Sequence, residues 1–148
     1  MPIEQRKGDL LAADVEALVN PVNTKGVMGK GLALQFKKAF PDNFSAYQEA
    51  CKKGEIVIGR MHIVQRPSPP RFIINFPTKD HWRNPSKIEY VQEGLIDLVA
   101  QVRKLEIQSI AIPALGCGNG GLEWADVKPL IVQAFHDLPD VRVILFDP

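Results

Sequence analysis

At 148 residues and 16.5 kDa, the chain has the size of one domain with one full hydrophobic core. Its 45% hydrophobic and 24% charged residues are ordinary for a globular fold, and its net charge of +1 neither demands nor excludes a nucleic-acid partner. There is no apolar run of membrane-spanning length and no signal-peptide stretch, Cys51 and Cys117 form no CxxC pair, and His62, His81 and His136 lack ligand spacing; the expectation is a cytoplasmic protein with no membrane association, no disulfide framework, no metal and no cofactor.

Ile3 to Arg6 reads as a first strand, ended by Lys7-Gly8-Asp9, with a helical turn from Leu10 to Asp14 and a buried strand from Val15 to Asn20. From Gly31, the spacing of Leu32, Leu34, Phe36 and Phe40 predicts an amphipathic helix that Pro41 breaks, and a second helix runs from Pro41 through Cys51 towards Gly54. Strands follow at Met61 to Gln65 and Arg71 to Phe76, joined by a proline-rich turn. Ile88, Val91, Leu95, Leu98, Val102 and Leu105 recur at three and four residues, the mark of a long helix with one buried stripe. A strand at Ser109 to Ile112, a helix from Trp124 to about Leu138 and a last strand from Val141 to Phe146 complete an alternating pattern that implies an α/β sandwich. No linker or repeat divides residues 1–148. The chain stops directly after the last strand, where a whole protein or a domain cut from a longer one would both end.

Two loops stand out. Asn20-Pro-Val-Asn23-Thr-Lys25-Gly-Val-Met28-Gly29-Lys30-Gly31 and Pro113-Ala-Leu115-Gly116-Cys117-Gly118-Asn119-Gly120-Gly121-Leu122 each follow an apolar strand and precede a helix. Glycine there lets consecutive N–H groups converge on an anion at a helix N-terminus. Gly116 to Gly121 matches GxGxxG literally, but Pro113 already ends the strand, the helix begins several residues later, and no second half of a dinucleotide-binding fold follows. Gly29-Lys30 is followed by Gly31, so the first loop is no Walker A motif, and no nucleophile elbow or paired-carboxylate motif is present. Lysines 25, 30, 37 and 38 occur without an acid between Val22 and Phe40, and Arg71, Lys79, His81, Arg83 and Lys87 face Asp80 alone, which predicts one basic face.

Lys7-Gly8-Asp9-Leu10, Asn20-Pro-Val-Asn23, Gly29-Lys30-Gly31-Leu32-Ala33 and Ile112-Pro113-Ala-Leu115-Gly116-Cys117-Gly118, in this order, resemble the macrodomain family of ADP-ribose binders over essentially the whole chain. The resemblance implies a three-layer α/β/α fold with a mixed, mainly parallel central sheet and a cleft at its strand ends. It implies that Asp9, flanked by Gly8 and Leu10, receives the adenine amino group. Asn20 and Asn23 would approach the distal ribose, Met28 and residues 29–33 (Gly29, Lys30, Gly31, Leu32, Ala33) would wrap that ribose and the pyrophosphate, and the stretch from Pro113 and Leu115 to Leu122 would supply main-chain donors. Asp9 also suits a plain N-cap, and Asn20 a strand-end support.

Asn75-Phe-Pro-Thr78-Lys79, with Trp82 and Gly116-Cys117-Gly118, is similar to the branch that includes terminal ADP-ribose protein glycohydrolase. That branch carries an aspartate where this chain has Gly120. Lysine without the aspartate, with a basic rim, resembles the DarG-type bacterial antitoxins, which remove ADP-ribose from thymidine in single-stranded DNA. The resemblance therefore implies a DNA ADP-ribosyl glycohydrolase with Lys79 as its catalytic group, ADP-ribose as product, ADP-ribosylated single-stranded DNA as substrate, and a cognate DNA ADP-ribosyltransferase toxin as partner. Lys79 would act as ammonium on the leaving base, as nucleophile or as base. Lys25, His81, Trp82 and Arg83 are the candidate DNA contacts, with Trp82 either a stacking platform or a packing residue. Cys117 reads as a small residue packed under its loop, having no histidine beside it in sequence. Two other functions stay open: hydrolysis of ADP-ribosylated Glu or Asp or of O-acetyl-ADP-ribose, and non-catalytic binding of ADP-ribose.

Overall fold

The computed structural model describes residues 3–148. Six strands, β1 (Ile3–Arg6), β2 (Ala17–Asn23), β3 (His62–Gln65), β4 (Phe72–Lys79), β5 (Ser109–Ile112) and β6 (Arg142–Phe146), form one sheet in the order β1-β6-β5-β2-β4-β3. Every neighbouring pair is parallel except β3 and β4. Four helices cover it: α1 (Gly31–Ala39), α2 (Pro41–Lys52), α3 (Ile88–Lys104) and α4 (Trp124–Ala134). This is the mixed, mainly parallel three-layer sandwich that the sequence predicts.

Side-chain alternation along buried strands assigns the layers. Ala17, Val19, Ile74, Phe76, Ile110, Ile112, Val143 and Leu145 pack against α3 and α4, where Val91, Leu95, Leu98, Val102, Val127 and Ile131 are buried. Leu18, Ile73, Ala111 and Ile144 turn the other way, onto Phe36 of α1, and Val22 meets Tyr47 and Ala50 of α2. Each such fully buried aliphatic side chain contributes about 1.5–3 kcal/mol of transfer free energy. Gly94 in α3 lies so close to the Phe76 ring that a Cβ there would overlap it, which accounts for a glycine in the middle of the longest helix.

Two strands run further than predicted, and both extensions matter for the site. β2 continues three residues past Asn20, through Pro21, and β4 continues three residues past Phe76, through Pro77. A proline interior to a sheet is tolerated only where a ladder bond is not needed. β5 pairs β2 only at Ala17 and Leu18, and β3 pairs β4 only from Phe72 to Asn75, so each proline lies beyond the last residue paired on its outer side. Conversely, α4 stops at Ala134, four residues before Leu138, and the chain turns through Phe135–Leu138 by Leu138 N–H donating to Phe135 O at 3.0 Å. No helix among the described residues is long and apolar enough to cross a membrane.

Candidate functional site

The carboxyl ends of β5, β2 and β4 lie side by side, the position in open α/β sheets where loops build ligand crevices. The loop after β2 enters α1 and the loop after β5 leads to α4. They meet: a Cβ on Gly31 would lie 3.2 Å from Asn119 Nδ2. The structure thus brings together the two glycine segments that sequence places 88 residues apart, counting from Gly31 to Asn119.

The first loop is held by side chains. Asn23 Oδ1 accepts from Lys25 N–H at 2.9 Å and lies 2.9 Å from the Tyr47 hydroxyl, while its Nδ2 donates to Val27 O at 2.7 Å. The Tyr47 hydroxyl donates to Asn23 O at 2.7 Å and accepts from Gly26 N–H at 3.2 Å; burial raises its pKa far above the ordinary phenol range, so it stays a neutral donor. Below, Asn20 Nδ2 donates to Asn75 Oδ1 at 3.1 Å, and Asn75 and Asn43 exchange amide bonds of 2.9 and 3.1 Å. Asn20 is completely buried, with Met28 against it, and its Oδ1 has no partner. Of the two asparagines expected at the ribose, Asn23 uses its amide oxygen and one amide N–H to shape the loop, and Asn20 is fully buried beneath it.

The second loop is held by backbone. Leu122 N–H donates to Gly116 O at 2.9 Å, Gly121 N–H to Gly118 O at 3.1 Å, and Gly118–Gly120 makes a single 3-10 turn. Ser86, which precedes α3, props this turn from beneath: its N–H donates to Gly120 O at 2.9 Å, and its Oγ would lie only 2.5 Å from a Cβ at position 120. That hydroxyl is buried without a partner. A side chain at position 120 therefore requires Ser86 to give way, by turning its hydroxyl and shifting its Cβ. Cys117 lies half-buried with Sγ 3.8 Å from Leu115 O, and burial pushes its thiol pKa up, the opposite of what a nucleophilic thiolate needs.

Lys79 is the last residue of β4. Its Nζ donates to Asn119 O at 3.0 Å and Trp82 O at 3.4 Å, so the ammonium sits where the second loop meets the end of β4. No carboxylate lies within ion-pair distance of it among the described residues. Desolvation, then the charge of Lys30, lowers its pKa from the ordinary lysine range. A bulge sets its place: Val22 pairs with Pro77, but Asn23 pairs with Lys79, leaving Thr78 as the extra residue.

The next residue ties β4 to the first loop. Thr24 N–H donates to Asp80 O at 3.0 Å, the Thr24 hydroxyl reaches both Asp80 O and Asp80 Oδ1 at 2.8 Å, and Lys25 Nζ is 3.6 Å from Asp80 Oδ1. The Thr24 hydroxyl and Lys25 hold the Asp80 carboxyl below its usual pKa. Lys79 thus fastens to one loop and Asp80 to the other. Trp82 is 42% exposed, so it is not a core residue; the His81 ring stacks on it at 3.8 Å, and Arg83 lies 6.0 Å from its centroid. At the far edge, exposed Asp9 caps the Leu10–Ala12 turn, its Oδ1 accepting from Leu11 N–H at 3.0 Å. Lys30, Gly29 and Gly118 are exposed along the cleft, whereas Leu10, Met28, Thr78, Pro113 and Leu115 are buried and serve it through packing and main chain. No group of three metal-ligating side chains occurs among the described residues.

Sequence reasoning missed Thr24, Tyr47, Asp80 and Ser86. Only Ser86 and Tyr47 left a trace, as polar residues that the structure buries. The Thr24–Asp80 clasp joins residues 56 apart and has no local signal.

A family model described as Macro domain matches residues 19–131. The chain is 57% identical over 143 residues to a DNA ADP-ribosyl glycohydrolase of Mycobacterium tuberculosis, covering 95% of this chain and 41% of that protein. It is 40% identical over 159 residues to a DNA ADP-ribosyl transferase–DNA ADP-ribosyl glycohydrolase fusion protein of Thermosipho africanus, covering 96% of this chain and 41% of that one. The solved macrodomain of Mycobacterium tuberculosis DarG superposes with a TM-score of 0.97 at 55% identity, covering 99% and 97% of the two chains. The chain therefore spans about two-fifths of the length of the curated relatives it matches.

Proposed function

Because the chain belongs to the Macro domain family, we propose that it works as an ADP-ribosyl glycohydrolase that releases ADP-ribose from thymidine in single-stranded DNA, as antidote to a DNA ADP-ribosyltransferase toxin. Such work takes place beside the chromosome, in the cytoplasm. The observation that carries the reading is Lys79: a partly desolvated amine without a carboxylate partner among the described residues, where the second glycine loop meets the end of β4, with Ser86 packed against the neighbouring position 120.

In the reaction, the bond between the distal ribose anomeric carbon and the thymine ring nitrogen breaks, the electron pair leaves with the base, water supplies the new oxygen to the sugar, and its proton neutralises the base. The loop N–H groups of residues 116–121 and the α1 N-terminus receive the pyrophosphate, the free edge of Asp9 faces the adenine, and the floor formed by Asn20 and the loop shaped by Asn23 seat the ribose. Lys79 as ammonium stabilises charge on the departing thymine; its lowered pKa also brings the free amine, nucleophile or base, closer to neutral pH. Exposed Trp82, with His81 stacked on it and Arg83 near its ring, offers a face for the strand.

The test offers one preparation both an ADP-ribosylated thymidine oligonucleotide and an auto-modified protein bearing ADP-ribosyl Glu or Asp. Release from DNA is expected to exceed release from protein, and Lys79→Ala to lower it by about 10²–10⁴-fold while ADP-ribose still binds. Release from protein only would overturn the reading, and ADP-ribose binding without any release would make the chain a binding module.

A further inference from the structure

A groove of about 500 Å³ opens beside the first loop, and none of residues 113–123 lines it, so it is distinct from the cleft between the glycine loops. Its apolar floor is Ile56, Val57 and Ile58; its walls carry Lys25 from the loop and Gln48 and Lys52 from α2. Val57 is 41% exposed, one of only three large hydrophobic side chains so exposed among the described residues, and it lies in a concavity. Thr24 and Asp80 form the end of the groove nearest Lys79, since Asp80 follows it directly in the chain and Thr24 is bonded to Asp80.

We propose that this groove receives the nucleotide adjacent to the modified thymidine, its base on Val57 and its phosphate between Lys25 and Lys52. The inference rests on the glycohydrolase reading for its direction: Asp80 follows Lys79 in the chain and is bonded to Thr24, and the groove begins there, within reach of the residue next to a thymine held at Lys79. Its volume lies within the ~300–1,000 Å³ of small-molecule sites, ample for one nucleotide. The aliphatic floor offers a base cover from water in place of an aromatic stacking platform, and the cationic groups at its edge offer contacts to a phosphate, neither of which reads sequence. The charge fits an anionic strand rather than a basic peptide. Lys25 and Lys52 outnumber the one carboxylate, Asp80, which Thr24 and Lys25 already engage. Lys52 has no ion-pair partner among the described residues.

The experiment compares wild type with Val57→Asp and Lys52→Glu on two substrates: the ADP-ribosylated thymidine nucleoside, and the same group within a short single-stranded oligonucleotide. Both variants are expected to lose about tenfold in kcat/KM on the oligonucleotide, the size of one base-stacking or phosphate contact, and to match wild type on the nucleoside. Equal behaviour of wild type and variants on the oligonucleotide, or equal losses on both substrates, would overturn the groove. A parallel measurement of affinity in the Lys79→Ala background, with modified oligonucleotide and with free ADP-ribose as probes, decides the groove independently of turnover. If wild type releases ADP-ribose from neither substrate, the glycohydrolase reading fails, while a variant-sensitive affinity for the oligonucleotide alone would still uphold the groove.

Discussion

The two loops that face each other across the cleft are built on opposite plans. The loop after β2 is tied down by side chains, chiefly Asn23, Tyr47 and the Thr24–Asp80 clasp, whereas the loop after β5 is tied down by its own backbone and by glycines packed on Ser86. The first plan stores its geometry in chemical groups that each have a substitute. The second stores it in the absence of side chains, where even one methyl group is too many. Damage to the second loop should therefore be abrupt and damage to the first graded.

The sharpest test of that contrast is Gly120→Ala. The added Cβ meets Ser86 Oγ and Cβ, so about 1–3 kcal/mol of stability should be lost by overpacking, seen in denaturant titration, together with most ADP-ribose affinity, seen by calorimetry. Ser86→Gly in the same chain should restore part of both, and failure to do so would show that Ser86 is not what closes position 120. Next in size is Thr24→Val, which removes the hydroxyl bonds to Asp80 but not the N–H bond. The expected loss is about fivefold to tenfold in kcat with KM little changed, since a bond of this kind contributes roughly 1 kcal/mol, and Thr24→Ser should recover it. A Thr24→Val variant with wild-type kcat would break the idea that the first loop must be clasped to β4. The smallest effect belongs to Lys30→Gln. Lys30 depresses the Lys79 pKa, so its removal should move the Lys79 limb of the kcat–pH profile to higher pH; a shift to lower pH would mean that the two cations do not sense each other.

The same contrast explains what could be read from the sequence. Glycine spacing is written in the chain, so the second loop, its strand and its helix were legible, as were the buried stripe of α3 and the alternation that sorts the layers. The first loop was legible in outline only. Asn23 is expected at the ribose, and the structure adds a second task that the sequence does not show: its amide oxygen and one amide N–H fold the loop through Lys25 N–H, the Tyr47 hydroxyl and Val27 O. That outcome depends on α2 placing Tyr47 beneath the loop, a tertiary fact. Pro21 and Pro77 concealed the full lengths of β2 and β4 for a similar reason. Proline is a poor strand residue until one knows that the neighbouring strand has already ended.

The bulge at Thr78 gives Lys79 an unusual kind of address. Its amine is held by Asn119 O and Trp82 O, and it is aimed at them by one surplus residue opposite Asn23. Without Thr78, Lys79 would still pair with Asn23, but the strand end would lose the bend and added twist that the surplus residue gives it, and with them the aim of the amine at Asn119 O. The amine is in this sense placed by counting. A family of such cleft proteins could re-aim it by gaining or losing a single bulge residue, leaving every chemical group of the site in place.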